Sequence, residues 1–155
     1  MRRGTRLAVD WGAARIGVAA CDPDGLLAFP VTTVVAGPGA MAQLAALVAE
    51  REPVEIVLGL PRTLGGGEQQ AARNVRGVAG ELAVAVGGVP VRLVDERLTT
   101  VAASRLLHDA GRSARRQRAV IDQAAAVALL EQALEYERAT GNPAGELVGH
   151  DTSEG

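Results

Sequence analysis

Four acidic positions in this chain stand where a carboxylate could do chemistry. The run "LAVDWG" ends in Asp10, "VRLVDE" ends in the pair Asp95-Glu96, and "AVIDQAAAVALL" sets Asp122 inside an apolar stretch. An aspartate that closes a strand is ordinarily a turn former whose side chain takes up nearby backbone N–H groups, and Asp10 alone would carry no more than that. Asp122 is different: Ala125, Ala126 and Leu129 follow it at i+3, i+4 and i+7, so on a helix it shares their packed face. Burying a charge there costs on the order of several kcal/mol unless it is paired or bound to a cation. An arginine or backbone amides could satisfy it. A metal accounts for it better, because it also gives Asp10 and one acid of the 95–96 pair a common task. Carboxylates suit hard cations such as Mg²⁺ or Mn²⁺. With Cys21, His108 and His150 as the whole Cys and His complement, a thiolate or imidazole site is disfavoured.

Those acids need elements that bring them together. "RLAVDWG" and "RIGVAACD" read as strands joined at Gly12-Ala13-Ala14, and "DPDG" turns the chain into a third strand around Phe29 to Val35, which makes an antiparallel meander. A helical pattern follows from Gly39 to Glu52, with Leu44, Leu47 and Val48 apolar and Pro53 as its stop. The strand Val54 to Leu60, a Gly-rich loop, a helix from about Gln69 to Val86 and the strand "VPVRLVDE" then alternate, which predicts parallel pairing. Two further helices are expected, over Thr100 to Ala110 and Ala114 to Ala139. Ligands in such sheets bind outside the carboxyl ends of the strands, where both Asp10 and the 95–96 pair fall. Side chains alternate along a strand, so only one of Asp95 and Glu96 can face a given site. From Gly141 onward periodicity is lost; the expectation is one domain over 1–140 and a mobile tail over 141–155.

Composition constrains the rest. Of 155 residues 48% are hydrophobic but only 2% aromatic, so the core must be built from Ala, Val, Leu and Ile. A net charge of -2 argues against a general nucleic-acid coat, although Arg112, Arg115, Arg116 and Arg118 form a local basic patch able to grip phosphates. The acidic excess collects toward Glu131, Glu135, Glu137 and the tail. One cysteine excludes an internal disulfide; Cys21 is either a core thiol or a crosslink between the chains of a homodimer. No signal-peptide pattern and no membrane-length apolar run are found, so the expected location is cytoplasmic.

Four segments in order, "VDWGAARIGVA", "LGLPRTLGG", "VDERLTT" and "IDQAAAVALLEQAL", resemble the YqgF/RuvX family of ribonuclease H-like proteins, whose members carry the names Holliday junction resolvase and pre-16S rRNA nuclease. The resemblance spans about residues 5 to 138; Thr63 and Leu64 stand where members usually have Asn and Met. It implies an α/β fold with a five-stranded mixed sheet, three antiparallel strands then two parallel ones, flanked by helices. It also implies Asp10, Glu96 and Asp122 as catalytic metal ligands, with Asp95 structural, and two Mg²⁺ or Mn²⁺ ions serving phosphodiester hydrolysis. The implied partner is structured RNA, the 5′ end of pre-16S rRNA, or else a four-way DNA junction. Arg15 and Arg97, then Arg62 and the Arg112, Arg115, Arg116 and Arg118 cluster, would hold its phosphates. Two other readings compete: a non-catalytic nucleic-acid or ribosome-binding module, and an ATP-binding enzyme using a D-x-G hairpin, which needs two such domains.

Overall fold

The computed structural model describes residues 1–61, 69–95 and 114–148, the side chains of 114–122 excepted. The elements run β1 (Arg6–Trp11), β2 (Arg15–Cys21), β3 (Ala28–Val35), α1 (Ala40–Arg51), β4 (Glu55–Leu60), α2 (Gln70–Ala85), β5 (Val91–Asp95), α3 (Ala114–Thr140) and β6 (Glu146–Leu147). The helix expected over Thr100 to Ala110 lies outside the described residues.

Local chemistry sets the turns. The β1–β2 hairpin requires a residue without a side chain, because a Cβ on Gly12 would stand 2.4 Å from the Arg15 carbonyl oxygen. In the β2–β3 turn, Asp22 Oδ1 accepts the backbone N–H of Leu27 at 2.7 Å and of Leu26 at 2.8 Å. Those bonds, Leu27's first, hold the Asp22 carboxyl below its ordinary pKa. Helix α1 ends at Glu52, which turns left-handed at φ 48° and donates its N–H to Val48 O at 2.8 Å; Pro53 then forbids continuation.

The sheet order is β3-β2-β1-β4-β5-β6, antiparallel through the meander and parallel from β1 to β4 to β5. Strand alternation sorts its residues onto two faces. Leu7, Val9, Ile16, Val18, Ile56, Leu58 and Leu93 meet Leu44 and Val48 of α1 and Val75, Ala79 and Leu82 of α2. Ala8, Ala19, Val57 and Val94 meet Ala126, Leu129, Leu130, Ala133 and Leu134 of α3. Alanines on both sides of this second layer let α3 lie close to the strands, which answers how a core almost free of aromatics is filled.

Two expectations are corrected. Among the described residues the sheet has six strands rather than five, and the segment after Gly141 is not wholly a tail: Glu146 and Leu147 pair antiparallel with Leu93 and Arg92. Gly145 makes this possible, since at φ +81° a Cβ would stand 2.3 Å from the Leu93 carbonyl oxygen. Val148 N–H donates to Val91 O at 2.8 Å, and Arg76 reaches Glu146 Oε2 at 2.8 Å. A boundary at 140 therefore cuts off the strand that covers the β5 edge.

Helix α3 runs antiparallel to β1, and its far end is held by charge. Glu137 is 3% exposed, in contrast to the exposed Glu135 on the same helix. It accepts Arg2 Nη2 at 2.8 Å and Nε at 3.0 Å, and Arg6 Nη2 lies 3.2 Å from both of its oxygens. Glu55 joins the cluster through Arg2 Nη2 at 3.0 Å and Arg92 Nε at 3.4 Å. The Arg2 hydrogen bond is the main reason the Glu137 carboxyl is lowered to about 2, and the same contact raises Arg2.

Candidate functional site

The opposite end of α3 reaches the carboxyl edge of the parallel strands. Register defines a row of residues there. Asp10 pairs with Gly17, and Gly17 with Thr33. On its other side, Val9 pairs with Leu58, so Gly59 follows beside Asp10, and Gly59 pairs with Val94. Val94 belongs to the layer under α3, so alternation turns Asp10 to that face as well. Its strand neighbours, Gly17 and Gly59, carry no side chains. A half-buried carboxylate thus stands between two strand neighbours that carry no side chains.

Asp95 pairs with Leu60, and its neighbour Val94 packs under α3, so its side chain belongs to the opposite face from Asp10. Its carbonyl accepts Gln132 Nε2 of α3 at 3.3 Å. Glu96 lies outside the described residues, but in sequence it has the parity of Val94. Asp122 falls within α3 one turn before Ala126, which is 0% exposed under the helix; its side chain lies outside the described residues. Its neighbour Gln123 is placed: Nε2 donates to Thr33 Oγ1 at 2.9 Å, so this part of α3 sits over the row that contains Asp10.

Arg15 opens β2, pairs with Val35 and is half-buried. Because the next residue, Ile16, packs under α1 and α2, alternation turns Arg15 to the Asp10 face of the carboxyl edge. Arg115, Arg116 and Arg118 occupy the first turns of α3, the helix end directed to this edge; their side chains, and Arg62, Arg97 and Arg112 entirely, lie outside the described residues. Trp11 packs against the core beneath α1 and α2, which assigns it to the fold. Cys21 is 2% exposed, receives the Arg6 backbone N–H at 3.3 Å, and has its thiol pKa raised by burial, so the crosslink reading fails.

Among the described residues no group of three or more His, Cys, Asp and Glu side chains could hold a metal ion. What is described still fits an oxygen-ligand site: a strand-end carboxylate between glycines and an arginine on the same face. Reasoning from sequence missed two features. The first is the buried cluster around Glu137, although Glu137 continues the stripe of Asp122, Ala126, Leu129 and Ala133, the same signal that singled out Asp122. The second is the Gln123–Thr33 bond, for which the sequence carries no signal.

Residues 4–136 match a family profile described as "RuvX: Holliday junction resolvase". A protein of Streptomyces coelicolor named "Putative pre-16S rRNA nuclease" is 60% identical over 150 residues, covering 96% of this chain and 90% of that one. One of the same name from Mycobacterium ulcerans is 52% identical over 138 residues, covering 88% and 81%. Among solved structures, Thermus thermophilus RuvC in complex with a Holliday junction substrate superposes with a TM-score of 0.58 at 16% identity, over 90% of this chain and 98% of that chain. At that identity the likeness establishes a common fold.

Proposed function

The chain belongs to the RuvX family, and from that premise we propose that it is a divalent-metal-dependent nuclease that processes the 5′ end of pre-16S rRNA. The name carried by relatives 52% and 60% identical supports the substrate, and the family match supports phosphodiester hydrolysis. The observation that carries the reading is the row at the carboxyl edge. Asp10 stands between Gly17 and Gly59 on the face that α3 covers, and the turn of α3 bearing Asp122 sits over that same row.

In this reading Asp10, Glu96 and Asp122 hold two Mg²⁺ or Mn²⁺ ions. When bound, the ions supply an activated water and stabilise the charge that develops on the leaving oxygen. The chain's own contribution is geometric and electrostatic. Asp10 is fixed by the β1 ladder, so its carboxylate needs little reorganisation to accept a cation. Arg15, on the same face, grips a phosphate flanking the scissile bond with its planar fork, and Arg97 and Arg62 extend that grip. The arginines at the start of α3, Arg112, Arg115, Arg116 and Arg118, add attraction along the strand of nucleic acid.

The family description favours a second reading, resolution of four-way DNA junctions. One experiment separates the two: incubate the protein with a precursor 16S rRNA fragment and, in parallel, with a four-way junction, each with Mg²⁺, with Mn²⁺ or with chelator. Metal-dependent cutting of the RNA at its 5′ side is the expected result. Cutting of the junction alone selects the second reading. Tight binding with no cleavage of either would leave a nucleic-acid-binding module.

A further inference from the structure

We infer that Gln123 and Thr33 form a positioning pair that holds the Asp122 segment of α3 in register with Asp10; the inference rests on the metal-site reading above. Thr33, Gly17 and Asp10 are successive partners across β3, β2 and β1, so the Thr33 and Asp10 backbones are two strand spacings, about 10 Å, apart. Gly17 between them contributes no side chain. Gln123 Nε2 donates to Thr33 Oγ1 at 2.9 Å, and the next residue toward the helix N-terminus is Asp122.

A pin is needed here because of how α3 is otherwise held. Its far end is tied by Glu137 to Arg2 and Arg6. From there to Gln123 the helix runs about 21 Å. Along that length it rests on Ala126, Leu129, Ala133 and Leu134, whose apolar contacts carry no direction, and the Gln132 Nε2 bond to the Asp95 carbonyl at 3.3 Å ties it to β5. From Gln132 the helix runs about 15 Å further to Asp122, and a tilt of about 10° over that span would move Asp122 by about 2.6 Å, more than a metal–oxygen bond tolerates. On one flank of this turn Gln123, Ala124, Val127 and Ala128 line an open hollow of about 250 Å³ beside Pro30, so side-chain bulk adds little restraint on that side. The Gln123–Thr33 bond adds direction at the Asp122 end of the helix, and β3 supplies a fixed acceptor at the height of Asp10.

The test uses Thr33→Val and Gln123→Met, which delete the bond with little change of volume, their double variant, and Thr33→Ser, which keeps the hydroxyl. Mn²⁺ affinity is read by calorimetry, alongside cleavage as a function of metal concentration, with Asp10→Asn as control. Each single variant is expected to bind Mn²⁺ about tenfold more weakly, the double variant no worse than either single one, and Thr33→Ser nearly as well as the unaltered protein. At saturating metal the cleavage rate should return to within about twofold, a split that general destabilisation would not give. If Asp10→Asn abolishes Mn²⁺ binding while Thr33→Val binds normally, the pairing inference falls and the metal site stands. If the unaltered protein binds no Mn²⁺, or Asp10→Asn binds equally well, the metal reading falls and takes the inference with it. Additive losses in the double variant would also overturn the pairing.

Discussion

Arg6 and Glu137, separated by nearly the whole chain, meet at the amino ends of the strands, where Arg6 Nη2 lies 3.2 Å from both carboxylate oxygens. The contact decides how the protein answers acid. With Arg2 as the leading cause, the Glu137 carboxyl is lowered from 4.5 to about 2. A depressed folded-state pKa stabilises the protein above the unfolded value, and the contribution is lost as protons bind the folded form. Urea unfolding followed over pH should therefore show stability that is complete above about 4.5 and declines toward about 2. In Glu137→Gln that decline should be reduced. The variant should also be less stable near neutral pH by about 3 kcal/mol, because Arg6 is left buried without its counter-charge. Parallel pH curves for the two proteins would disprove the assignment.

Asp10→Asn keeps the shape of the side chain and removes its charge. Cleavage should fall by about 10²- to 10³-fold or more, the scale seen when charge stabilisation in a site is lost. Because Asp10 is only half-buried at a strand end, the melting temperature should barely move. Cleavage that persists in the variant, or in chelator, would show a contaminant or another mechanism.

Arginines at the start of α3 should reveal themselves through salt. Replacing Arg115 and Arg116 with alanine removes two phosphate contacts, so the slope of log affinity against log salt should flatten by about 1.4 for a single strand and about 1.8 for a duplex. Filter-binding titrations over a range of salt measure it. An unchanged slope would return both residues to the solvated surface.

Gly145→Ala should destabilise the chain by roughly 1–3 kcal/mol, because a non-glycine residue would have to adopt a positive φ. The Cβ would also stand 2.3 Å from the Leu93 oxygen. Hydrogen exchange of the Val148 amide, bonded to Val91 O, should accelerate more than that of the central strands. Equal protection at Val148 in variant and parent would show that β6 does not depend on the glycine.

How far the sequence could be read follows from which signals are local. The meander, α1, α2 and β4 announce themselves through alternation, helical spacing and the stop at Pro53, and each lies within two residues of its expected bounds. Asp10 at the end of a strand was legible for the same reason. Glu137 lies on the same stripe as Asp122, but its role was not legible, because the arginines that close over it, Arg2 and Arg6, come from the other end of the chain. Strand β6 is two exposed residues long, too short for any period, and exists through a contact with Leu93. The Gln123–Thr33 bond joins polar residues 90 positions apart, and nothing in either neighbourhood encodes it.

Because α3 follows all the strands it covers in the chain, it imposes an order on biosynthesis. The meander and β4 leave the ribosome first, carrying Ala8, Ala19, Cys21 and Val57, whose cover is supplied by Ala126 to Leu134. Until those residues emerge, Ala8, Ala19, Cys21 and Val57 lack the cover α3 gives them and the Arg6 guanidinium lacks the Glu137 carboxylate. At a synthesis rate of about 5–20 residues per second, that interval lasts several seconds. A nascent chain of this kind is a natural client for factors that shield apolar surface, and a stop codon anywhere before Glu137 should yield an aggregating fragment rather than a smaller working protein.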